Sequence, residues 1–463
     1  MDNNRHIHFI GIGGIGMSGL AVLAKDANFE VSGSDLSESS VTRSLKKNGI
    51  SVYIPHKAEN VNGAGTVVYS SAIKEENPEL IAAKKSGKKI MHRSEYLSEV
   101  LAGKLPICIS GTHGKTTTTA LISHILNESG WEPSCLVGGN YHLWNSNVLV
   151  GKSPWMVVEA DESDGSLLRY EPFAAVVTNV DNDHLDYYSG ISQILETFEQ
   201  FLNQVKEDGI RVLYGDCDHL FEISKNWPGA CVTYGFQKRN AFTIDDVEAI
   251  GRKTAFNLSF RDMLLGRLII PLIGQHNILN SSAAAITSFL SGVTFTSVKN
   301  AIATFAGVHR RSEVLFKNEF FTLMDDYAHH PTEIRETLKS IKERCNGRLV
   351  VIFQPHRYSR TQQLYKEFAS ALCLADKIYL CPIYSAGDKP IVGVDTSLIQ
   401  DSIPLPHLKK VKYLPNLEQA YLIVDQESQS GDTILSMGAG NVRLVTEKLA
   451  RIYSEHYTLA ASS

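Results

Sequence analysis

Residues 111–117, Gly-Thr-His-Gly-Lys-Thr-Thr, combine the residue types that bind the phosphates of a nucleotide. The segment follows a strand-like apolar run, Pro106–Ser110, and precedes a helix-like run. In such a turn the backbone N–H groups cradle phosphate oxygens, the Lys115 ammonium contacts the β- and γ-phosphates, and the Thr116 hydroxyl ligates Mg²⁺. The standard pattern has a glycine at the position of Ile109, so this loop is shorter than the standard form.

A solvated lysine on a tight turn is the alternative interpretation of this segment. The order of strand, glycine turn, Lys-Thr and helix favours ATP as the ligand instead. The loop residues expected to bind ATP are Gly111, Thr112, His113, Gly114, Lys115, Thr116 and Thr117.

Two acidic segments follow apolar runs and are candidates for metal ligands. Residues 159–164 carry four carboxylates in six positions, and these would repel one another without a cation nearby. Residues 179–186 form a second cluster that includes a histidine. A generic acidic loop and a hydrogen-bonded structural histidine are the respective alternatives. The expected metal ligands are Thr116, Glu159 and His184.

A second glycine turn lies near the start of the chain. Residues 11–16, Gly-Ile-Gly-Gly-Ile-Gly, match GxGxxG, in which glycines allow a tight turn and close approach of N–H groups to a diphosphate. Asp35 follows the next strand-like run, where an acidic residue can accept a hydrogen bond from a ribose hydroxyl. The pattern indicates a diphosphate-containing ligand. NAD is one candidate, and tight βαβ packing without any ligand is the alternative.

Composition excludes several classes of protein. The chain has 463 residues, enough for two to four domains, and its 43% hydrophobic and 21% charged residues are typical of a folded protein. A net charge of −5 excludes a broadly basic nucleic-acid-binding protein. The seven cysteines are scattered without a CxxC pair, which argues against disulfides or a zinc site and favours the cytoplasm. A secretory signal at residues 7–24 is disfavoured, because five glycines there make a poor continuous helix.

The candidate sites need a scaffold that places them at strand ends. Apolar runs alternate with helix-like stretches, which predicts an α/β fold with parallel sheets. We expect three domains, residues 1–105, 106–308 and 309–463, with a linker at residues 103–106. The predicted strands include Ile7–Ile10, Val31–Ser34, Ser51–Ile54, Thr66–Tyr69, Lys89–Met91, Trp155–Glu159, Ala174–Thr178, Phe320–Met324, Arg348–Phe353, Lys377–Cys381 and Thr433–Ser436.

Taken together, these residues give a sequence that resembles the Mur ligase family, ATP-dependent enzymes that build the stem peptide of peptidoglycan. The similarity covers essentially the whole chain. Its opening segment and residues 325–331 and 353–361 are most similar to the branch that joins L-alanine to UDP-N-acetylmuramate. The other motifs that carry the resemblance are residues 111–117, 159–164, 179–184 and 274–280.

The resemblance implies a Rossmann-like N-terminal domain, a P-loop ATPase-like central domain and a Rossmann-like C-terminal domain. It implies that the first glycine turn holds a uridine diphosphate sugar, so that NAD is not required. It also implies ATP and Mg²⁺ as cofactors, UDP-N-acetylmuramate and L-alanine as substrates, an acyl-phosphate intermediate, and no nucleic-acid or membrane partner. The additional residues expected to contact the nucleotide are His276, Asn277, Asn280, Arg310 and Asp325.

Substrate-binding and catalytic roles follow from the same resemblance. Arg357 and Arg360 are expected to hold the alanine carboxylate, His329 to accept the amine proton, and Asp325 either to bind ribose or to orient the C-terminal domain. Solvent-facing arginines and a merely packed histidine are the alternatives. The expected substrate-binding residues are Gly11, Gly13, Gly14, Gly16, Asp35, Ser70, Ser71, Arg93, Tyr327, His329, Arg357 and Arg360. The expected catalytic residues are Lys115, His184, His329 and Arg357.

Two departures from the family pattern leave details open. Residues 185–205 contain no lysine, whereas other family members carry a carbamylated lysine that helps to hold a second magnesium. Val308 and His309 precede Arg310, where a small-residue turn is expected.

Three other functions compete with this interpretation. One is the sister ligase that joins a recycled murein tripeptide to UDP-N-acetylmuramate. The others are an NAD-dependent oxidoreductase with a fused ATP-binding domain and a non-catalytic nucleotide-binding regulator. The presence of Lys115, Thr116, Glu159 and His184 favours an active ligase.

Overall fold

The computed structural model describes residues 5–182 and 187–461. Its strands form three sheets connected by helices, which confirms the expected α/β fold class with parallel sheets of the Rossmann-like and P-loop kinds. The chain divides into two compact units. The first unit contains residues 1–248, 255–271 and 279–306, and the second unit contains residues 249–254, 272–278 and 307–463. None of the described helices combines the length and the apolar character that crossing a membrane requires.

The first sheet has five parallel strands in the order β3-β2-β1-β4-β5. The order reverses between β1 and β4, and the carboxyl ends of strands at such a point form a crevice for ligands. The strands are β1 His6–Ile10, β2 Glu30–Ser34, β3 Ser51–Tyr53, β4 Thr66–Tyr69 and β5 Lys89–His92. The helices are α1 Ile15–Asp26, α2 Ser40–Lys47, α3 Pro78–Lys85 and α4 Arg93–Leu101, with a short 3-10 helix at Ala58–Val61.

The second sheet has ten strands in the order β15-β14-β13-β12-β11-β10-β6-β9-β7-β8. Its central strand β6 pairs in parallel with β10 and β9. The strands are β6 Leu105–Ser110, β7 Ser134–Tyr141, β8 Ser146–Leu149, β9 Trp155–Glu159, β10 Ala174–Val177, β11 Ile210–Tyr214, β12 Cys231–Gly235, β13 Phe242–Ile250, β14 Lys253–Phe260 and β15 Met263–Ile270. The helices are α5 Lys115–Glu128, α6 Ile191–Asn203, α7 Asp218–Ser224, α8 Gln275–Leu290 and α9 Phe295–Ala303, with a 3-10 helix at Ser166–Arg169.

The third sheet has six strands in the order β16-β17-β21-β18-β19-β20, with β16 antiparallel at one edge and the other strands parallel. Its central strands β18 and β21 are buried along their whole length, as is typical of parallel sheets. The strands are β16 Glu313–Lys317, β17 Thr322–Asp326, β18 Leu349–Phe353, β19 Lys377–Leu380, β20 Val411–Tyr413 and β21 Thr433–Met437. The helices are α10 Pro331–Lys342, α11 Tyr358–Leu372, α12 Ser397–Asp401, α13 Leu405–Leu408, α14 Leu417–Glu427 and α15 Arg443–Ala461.

Two sequence-based boundaries are wrong. The expected linker at residues 103–106 overlaps β6, because Pro106 takes the second position of the strand, opposite Met156. Proline is compatible with the start of a strand. The strand expected at Phe320–Met324 begins two residues later, because the Asn318 side chain accepts the N–H groups of Phe320 and its neighbour and holds them in a turn.

Candidate active site

The phosphate loop, residues 111–117, leads from β6 into α5. Gly111 and Gly114 have φ angles of +121° and +83°, which residues with a side chain rarely adopt. A Cβ at Gly111 would lie 2.3 Å from Thr178 Oγ1, and a Cβ at Gly114 would lie 2.3 Å from Asn280 Oδ1. The loop therefore needs glycine at both positions for conformation and for space.

Lys115 is the first residue of α5 and its side chain folds back onto the loop. Its Nζ donates to the carbonyl oxygens of Gly111 and Thr112, at 2.7 and 3.3 Å, and to both carboxylate oxygens of Glu162, at 2.7 and 2.8 Å. Burial alone would lower the pKa of Lys115, but the Glu162 and Asp161 carboxylates outweigh that effect and raise it. The loop therefore contains a permanently charged cation held in place by its own backbone and one buried carboxylate.

The segment after β10 holds the loop from outside. The His113 N–H donates to Asn179 Oδ1 at 2.8 Å, and the His113 carbonyl accepts from Asn179 Nδ2 at 2.9 Å and from Thr178 Oγ1 at 2.5 Å. The Asp181 N–H donates to Thr112 Oγ1 at 2.9 Å, and the Asp181 carboxylate lies 3.1 Å from His113 Nε2. These contacts fix the loop through protein groups alone. One feature of the sequence could have indicated them, because the segment directly follows an apolar run that forms β10.

The proposed metal ligands lie at the same strand edge as far as the described residues extend. Glu159 ends β9, and its Oε1 accepts from the Gly138 N–H at 2.6 Å. A Cβ at Gly138 would lie 2.5 Å from Glu159 Oε2, so the backbone can approach the carboxylate only at a glycine. Thr116 and Thr117 are buried in the first turn of α5. His184 lies outside the described residues.

The first glycine turn is closed by the residues that follow β2. The N–H groups of Gly11 and Ile12 both donate to the Ser34 carbonyl at 2.9 Å. The Gly13 N–H donates to Asp35 Oδ2 at 2.8 Å, and a Cβ at Gly13 would lie 2.7 Å from that oxygen. Asp35 therefore shapes the turn directly.

The other expected residues of this turn are less tightly constrained. Gly14 precedes α1, and a Cβ there would meet nothing closer than 3.4 Å. A Cβ at Gly16 would have the Arg93 guanidinium as its nearest group, at 4.0 Å. Ser70 Oγ would lie 3.1 Å from a Cβ at Gly11, which has a φ of +79°. Steric need for glycine is therefore strongest at the first two glycines of the motif.

Alternating charges connect the first sheet to the phosphate loop. Arg93 Nη2 lies 3.4 Å from Asp161 Oδ2 and 3.5 Å from Asp164 Oδ2, and Ser71 Oγ donates to Asp164 Oδ2 at 3.1 Å. Burial alone would raise the pKa of Asp161, but the positive charges of Lys115 and Arg93 lower it. The structure thus brings Ser71 and Arg93 to the acidic segment that also supports Lys115.

In the second unit, Asp325 is a buried residue near the end of β17 that accepts hydrogen bonds from three side chains. Its Oδ1 accepts from Ser436 Oγ at 2.6 Å, and its Oδ2 accepts from Arg310 at 3.3 Å and from Arg443 at 3.2 Å. Burial raises the pKa of Asp325, although the Ser436 hydroxyl and both arginines favour its ionised form. Of the two roles expected for Asp325, these contacts favour orienting the C-terminal region. Sequence reasoning missed Arg443, which lies more than 100 residues away along the chain.

Arg310 also supports the aromatic residue that follows β17. It donates to the Gly438 carbonyl at 2.6 Å, and its guanidinium lies 4.8 Å from the centre of the Tyr327 ring. The Tyr327 N–H donates to the Arg310 carbonyl at 2.7 Å. The expected substrate residue Tyr327 is therefore positioned by Arg310 through both backbone and ring.

A second cluster of expected residues surrounds His356. The His356 ring lies 5.7 Å from the His329 ring and stacks on Tyr384 at 5.7 Å, while Arg360 Nη1 lies 3.5 Å from His356 Nδ1. Arg357 has a φ of +71°, and its N–H donates to the Tyr384 carbonyl at 2.8 Å. Burial, together with the charges of neighbouring histidine and arginine side chains, lowers the pKa of His356 to about 3. Sequence analysis assigned no role to His356.

The first two turns of α8 contain the remaining residues that are expected to contact the nucleotide. Burial lowers the pKa of His276 to about 4, so its imidazole is neutral at physiological pH. Asn277 is buried and donates from Nδ2 to the Ile273 carbonyl at 2.8 Å. Asn280 lies against the phosphate loop at Gly114.

Known proteins match this sequence along most of its length. Three family models match in order: Mur ligase family, catalytic domain, at residues 6–105; Mur ligase middle domain at 109–288; and Mur ligase, glutamate ligase domain, at 310–440. The UDP-N-acetylmuramate–L-alanine ligase of Carboxydothermus hydrogenoformans is 40% identical over 444 residues, which cover 96% of each chain. The protein of the same name from Brachyspira hyodysenteriae is 42% identical over 96% of this chain and 97% of its own.

A solved structure gives the same result for the fold. The UDP-N-acetylmuramate-alanine ligase of Thermotoga maritima matches with a TM-score of 0.85 and 29% identity, covering 97% of this chain and 99% of its own. A murein peptide ligase from Psychrobacter arcticus shares the fold at a TM-score of 0.71 and 23% identity. Since three family models cover most of the sequence and relatives match it nearly end to end, the chain belongs to the Mur ligase family.

Proposed function

We propose that this chain is an ATP-dependent ligase that joins L-alanine to the carboxylate of UDP-N-acetylmuramate during synthesis of peptidoglycan precursors. The observation that carries the proposal is its 40–42% identity, over 96% of its length, to proteins of that activity. The phosphate loop, with Lys115 held at its centre by loop carbonyls and Glu162, supports the use of ATP. The free cysteines support a cytoplasmic location.

The chemistry explains why ATP is needed. An amine does not displace oxide from a carboxylate at a useful rate. A carboxylate oxygen of the sugar therefore attacks the γ-phosphorus of ATP and ADP leaves; the neutral amine of L-alanine then attacks the acyl carbon and inorganic phosphate leaves. Phosphoryl transfer depends mainly on positioning and charge neutralisation. In this scheme Lys115 stabilises the β- and γ-phosphates, and it is already charged and held at the loop.

Mg²⁺ fits the donor groups at this edge of the sheet. Thr116 supplies a hydroxyl and Glu159 a carboxylate, and Mg²⁺ prefers such oxygen ligands. His184 is the proposed ligand of a second Mg²⁺ ion. When bound, the ion would neutralise charge on the phosphates.

Each of the three segments of the chain would bind a different substrate. Residues 1–105 would bind the sugar nucleotide, through the glycine turn, Asp35 and Arg93. Residues 106–308 would bind ATP, and residues 309–463 would bind L-alanine. Within the last segment Arg357 and Arg360 would hold the alanine carboxylate, and His329 would accept a proton from its amine.

Phosphate release by the purified protein tests the proposal. Reactions would contain ATP, Mg²⁺ and UDP-N-acetylmuramate, with L-alanine, a murein tripeptide or no acceptor. We expect release that depends on L-alanine, is lost in Lys115→Ala, and is kept in Lys152→Ala, which removes an exposed lysine of the same unit. Release only with the tripeptide would assign the chain to the recycling branch, and no release with either acceptor would contradict a ligase.

A further inference from the structure

A cavity of about 600 Å³ lies in the second unit, at the amino-terminal edge of the third sheet. Its wall includes Thr322 and Thr433, the first residues of β17 and β21. The candidate catalytic groups of this unit follow the carboxyl ends of the same parallel strands. Strands of five residues separate the two edges by about 13 Å. The cavity therefore lies outside the proposed active site.

The cavity wall is rich in positive charge. Arg252, Lys317 and Arg344 line it, and within residues 5–182 and 187–461 no carboxylate lies within ion-pair distance of any of them. Arg344 donates instead to neutral acceptors, including the Gly251 carbonyl at 2.7 Å. Burial, with a smaller contribution from the charge of Arg344, lowers the pKa of Arg252 below its usual range. These cations lack a negative partner.

The carboxylates of the cavity wall do not change that balance. Asp432 lines the cavity, but its two oxygens accept from Arg348 at 2.9 and 2.7 Å, so its charge is already neutralised. Glu319 also lines the cavity and is exposed, as are Arg252 and Lys317, so solvent screens these three charges alike and the cations still outnumber the one unneutralised carboxylate. The cavity consequently favours an anion.

The rest of the wall combines apolar side chains with an amide donor. Ile273, Met324 and Ile341 contribute apolar surface. Asn318 Oδ1 accepts two backbone N–H groups, whereas its buried Nδ2 has no hydrogen-bond partner in the described part of the chain. Because Nδ2 has almost no accessible surface, a ligand would reach this donor only after the Asn318 side chain rotates.

We propose that this cavity binds a small amphipathic anion, with an apolar body and a terminal carboxylate or phosphate. The anionic group pairs with Arg252 and Lys317, while the apolar body packs on Ile273 and Ile341. A volume of about 600 Å³ is within the range of sites for small organic molecules.

The same site communicates with a residue that is expected to contact adenine. Ile273 lines the cavity, and its carbonyl oxygen accepts from Asn277 Nδ2 at 2.8 Å. A ligand packed on Ile273 therefore changes the position of the Asn277 amide and the affinity for ATP, and ATP changes the affinity for the ligand by the same factor. This coupling rests on the proposed function, whereas binding to the cavity does not.

Calorimetric titration tests the binding with 2-naphthoate and 2-naphthyl phosphate, in the presence of saturating ADP and UDP to occupy nucleotide sites. We expect at least one of these anions to bind, the neutral 2-naphthol not to bind, and the double variant Arg252→Ala/Lys317→Ala to lose at least about tenfold in affinity. Lys409→Ala, at an exposed position of the same unit, is the matched control. Absence of binding by both anions, equal binding of naphthol, or unchanged affinity in the double variant would overturn the site.

Cys345 provides a local readout, because it lines the cavity and is a free thiol. The bound anion should slow its alkylation by N-ethylmaleimide, followed by peptide mass spectrometry, and leave the other partly exposed cysteines unaffected. Equal protection of all of them would contradict binding at this cavity.

The coupling is tested by the KM for ATP with and without the bound anion. We expect a change of at least about threefold in the wild type and none in the double variant. An unchanged KM despite measured binding would overturn the coupling alone. Absence of turnover with any acceptor would contradict the proposed function and leave the calorimetric result standing.

Discussion

Glu79 and Lys115 are charged side chains of the first unit whose surroundings differ: Glu79 is fully buried, whereas 15% of the Lys115 side chain is exposed. The fully buried Glu79 carboxylate accepts from Asn60 Nδ2 at 2.6 Å and from Ser34 Oγ at 2.5 Å, and the rings of His8 and His56 lie 3.4 and 3.5 Å away. These groups come from across the first sheet. Glu79 is thus enclosed by protein donors.

Lys115 has fewer kinds of hydrogen-bond partner than Glu79. These partners belong to, or lie beside, a glycine turn whose backbone N–H groups can come close to a ligand. Its partners are loop carbonyls and Glu162, and the loop depends on glycine at two positions. A buried charge inside a complete set of protein donors stabilises the fold. A partly exposed charge on a glycine turn is placed so that it can exchange a protein partner for a ligand.

Lys115→Ala should have the largest effect on activity. We expect the rate of L-alanine-dependent phosphate release to fall at least about 10³-fold, because the β- and γ-phosphates lose their fixed cation. Glu79→Ala should lower the rate per folded molecule far less than Lys115→Ala, since Glu79 contacts the first glycine turn only through Ser34 and does not reach the phosphate loop. Steady-state rates normalised to the folded fraction compare the two variants. Similar losses of activity in both variants would contradict the different roles assigned to Lys115 and Glu79.

Glu79→Ala should instead have the larger effect on stability. Removing the carboxylate leaves Ser34, Asn60 and two histidines without their acceptor, so the free energy of unfolding should fall by at least about 3 kcal/mol. Denaturant unfolding followed by circular dichroism measures this change. The control is Glu75→Ala, because the Glu75 side chain is 72% exposed and its loss should change the value by less than about 0.5 kcal/mol.

The sequence could reveal the Lys115 cluster but not the Glu79 cluster. Lys115 and Glu162 lie in contiguous motifs that follow apolar strands, and the parallel arrangement brings those strand ends together. His8, Ser34 and Glu79 are scattered, and no spacing marks them as partners. The same reason explains why Asp325 was predicted as a site residue while its partner Arg443 was not.

Prediction of the strands from the sequence is limited in a similar way. Buried strands of the parallel sheets were predicted because they read as continuous apolar runs, as in β18. Most of β13 is exposed and three acidic residues interrupt its apolar ones, so it contains no continuous apolar run. The supporting contacts of Asn179 to the phosphate loop also depend on three-dimensional pairing between segments 66 residues apart.

Gly114→Ala tests whether the phosphate loop depends on the close contact between Gly114 and Asn280. A Cβ there would lie 2.3 Å from Asn280 Oδ1, so we expect the KM for ATP to rise about tenfold as the loop moves. Gly130→Ala is the matched control at the other end of α5, because it has a similar positive φ of +76° but nothing within 4 Å of its Cβ. Both variants should lose about 1 kcal/mol of stability through backbone strain. An equal rise in KM for both would show that strain, and not contact with Asn280, explains the effect.

The smallest expected effect is on the pH dependence of stability, which should differ between substitutions of Glu79 and of Lys115. Although burial alone would raise it, hydrogen bonds from His56, His8 and Ser34 hold the pKa of Glu79 well below its usual range. A lowered carboxyl pKa stabilises the folded state fully above the unfolded-state pKa of about 4.3, and this contribution is lost as the pH falls toward the folded-state pKa.

We therefore expect the difference in unfolding free energy between wild type and Glu79→Gln to stay constant from about pH 8 to about pH 5.5. It should then shrink by about 0.5–1 kcal/mol on reaching about pH 4. Lys115 has a raised pKa, so its ammonium remains charged throughout this range and Lys115→Gln should show no such convergence with the wild type. Parallel unfolding series of the three proteins measure this. A Glu79→Gln difference that already shrinks between about pH 8 and about pH 6 would mean that a neighbouring histidine, rather than the carboxylate, controls the cluster.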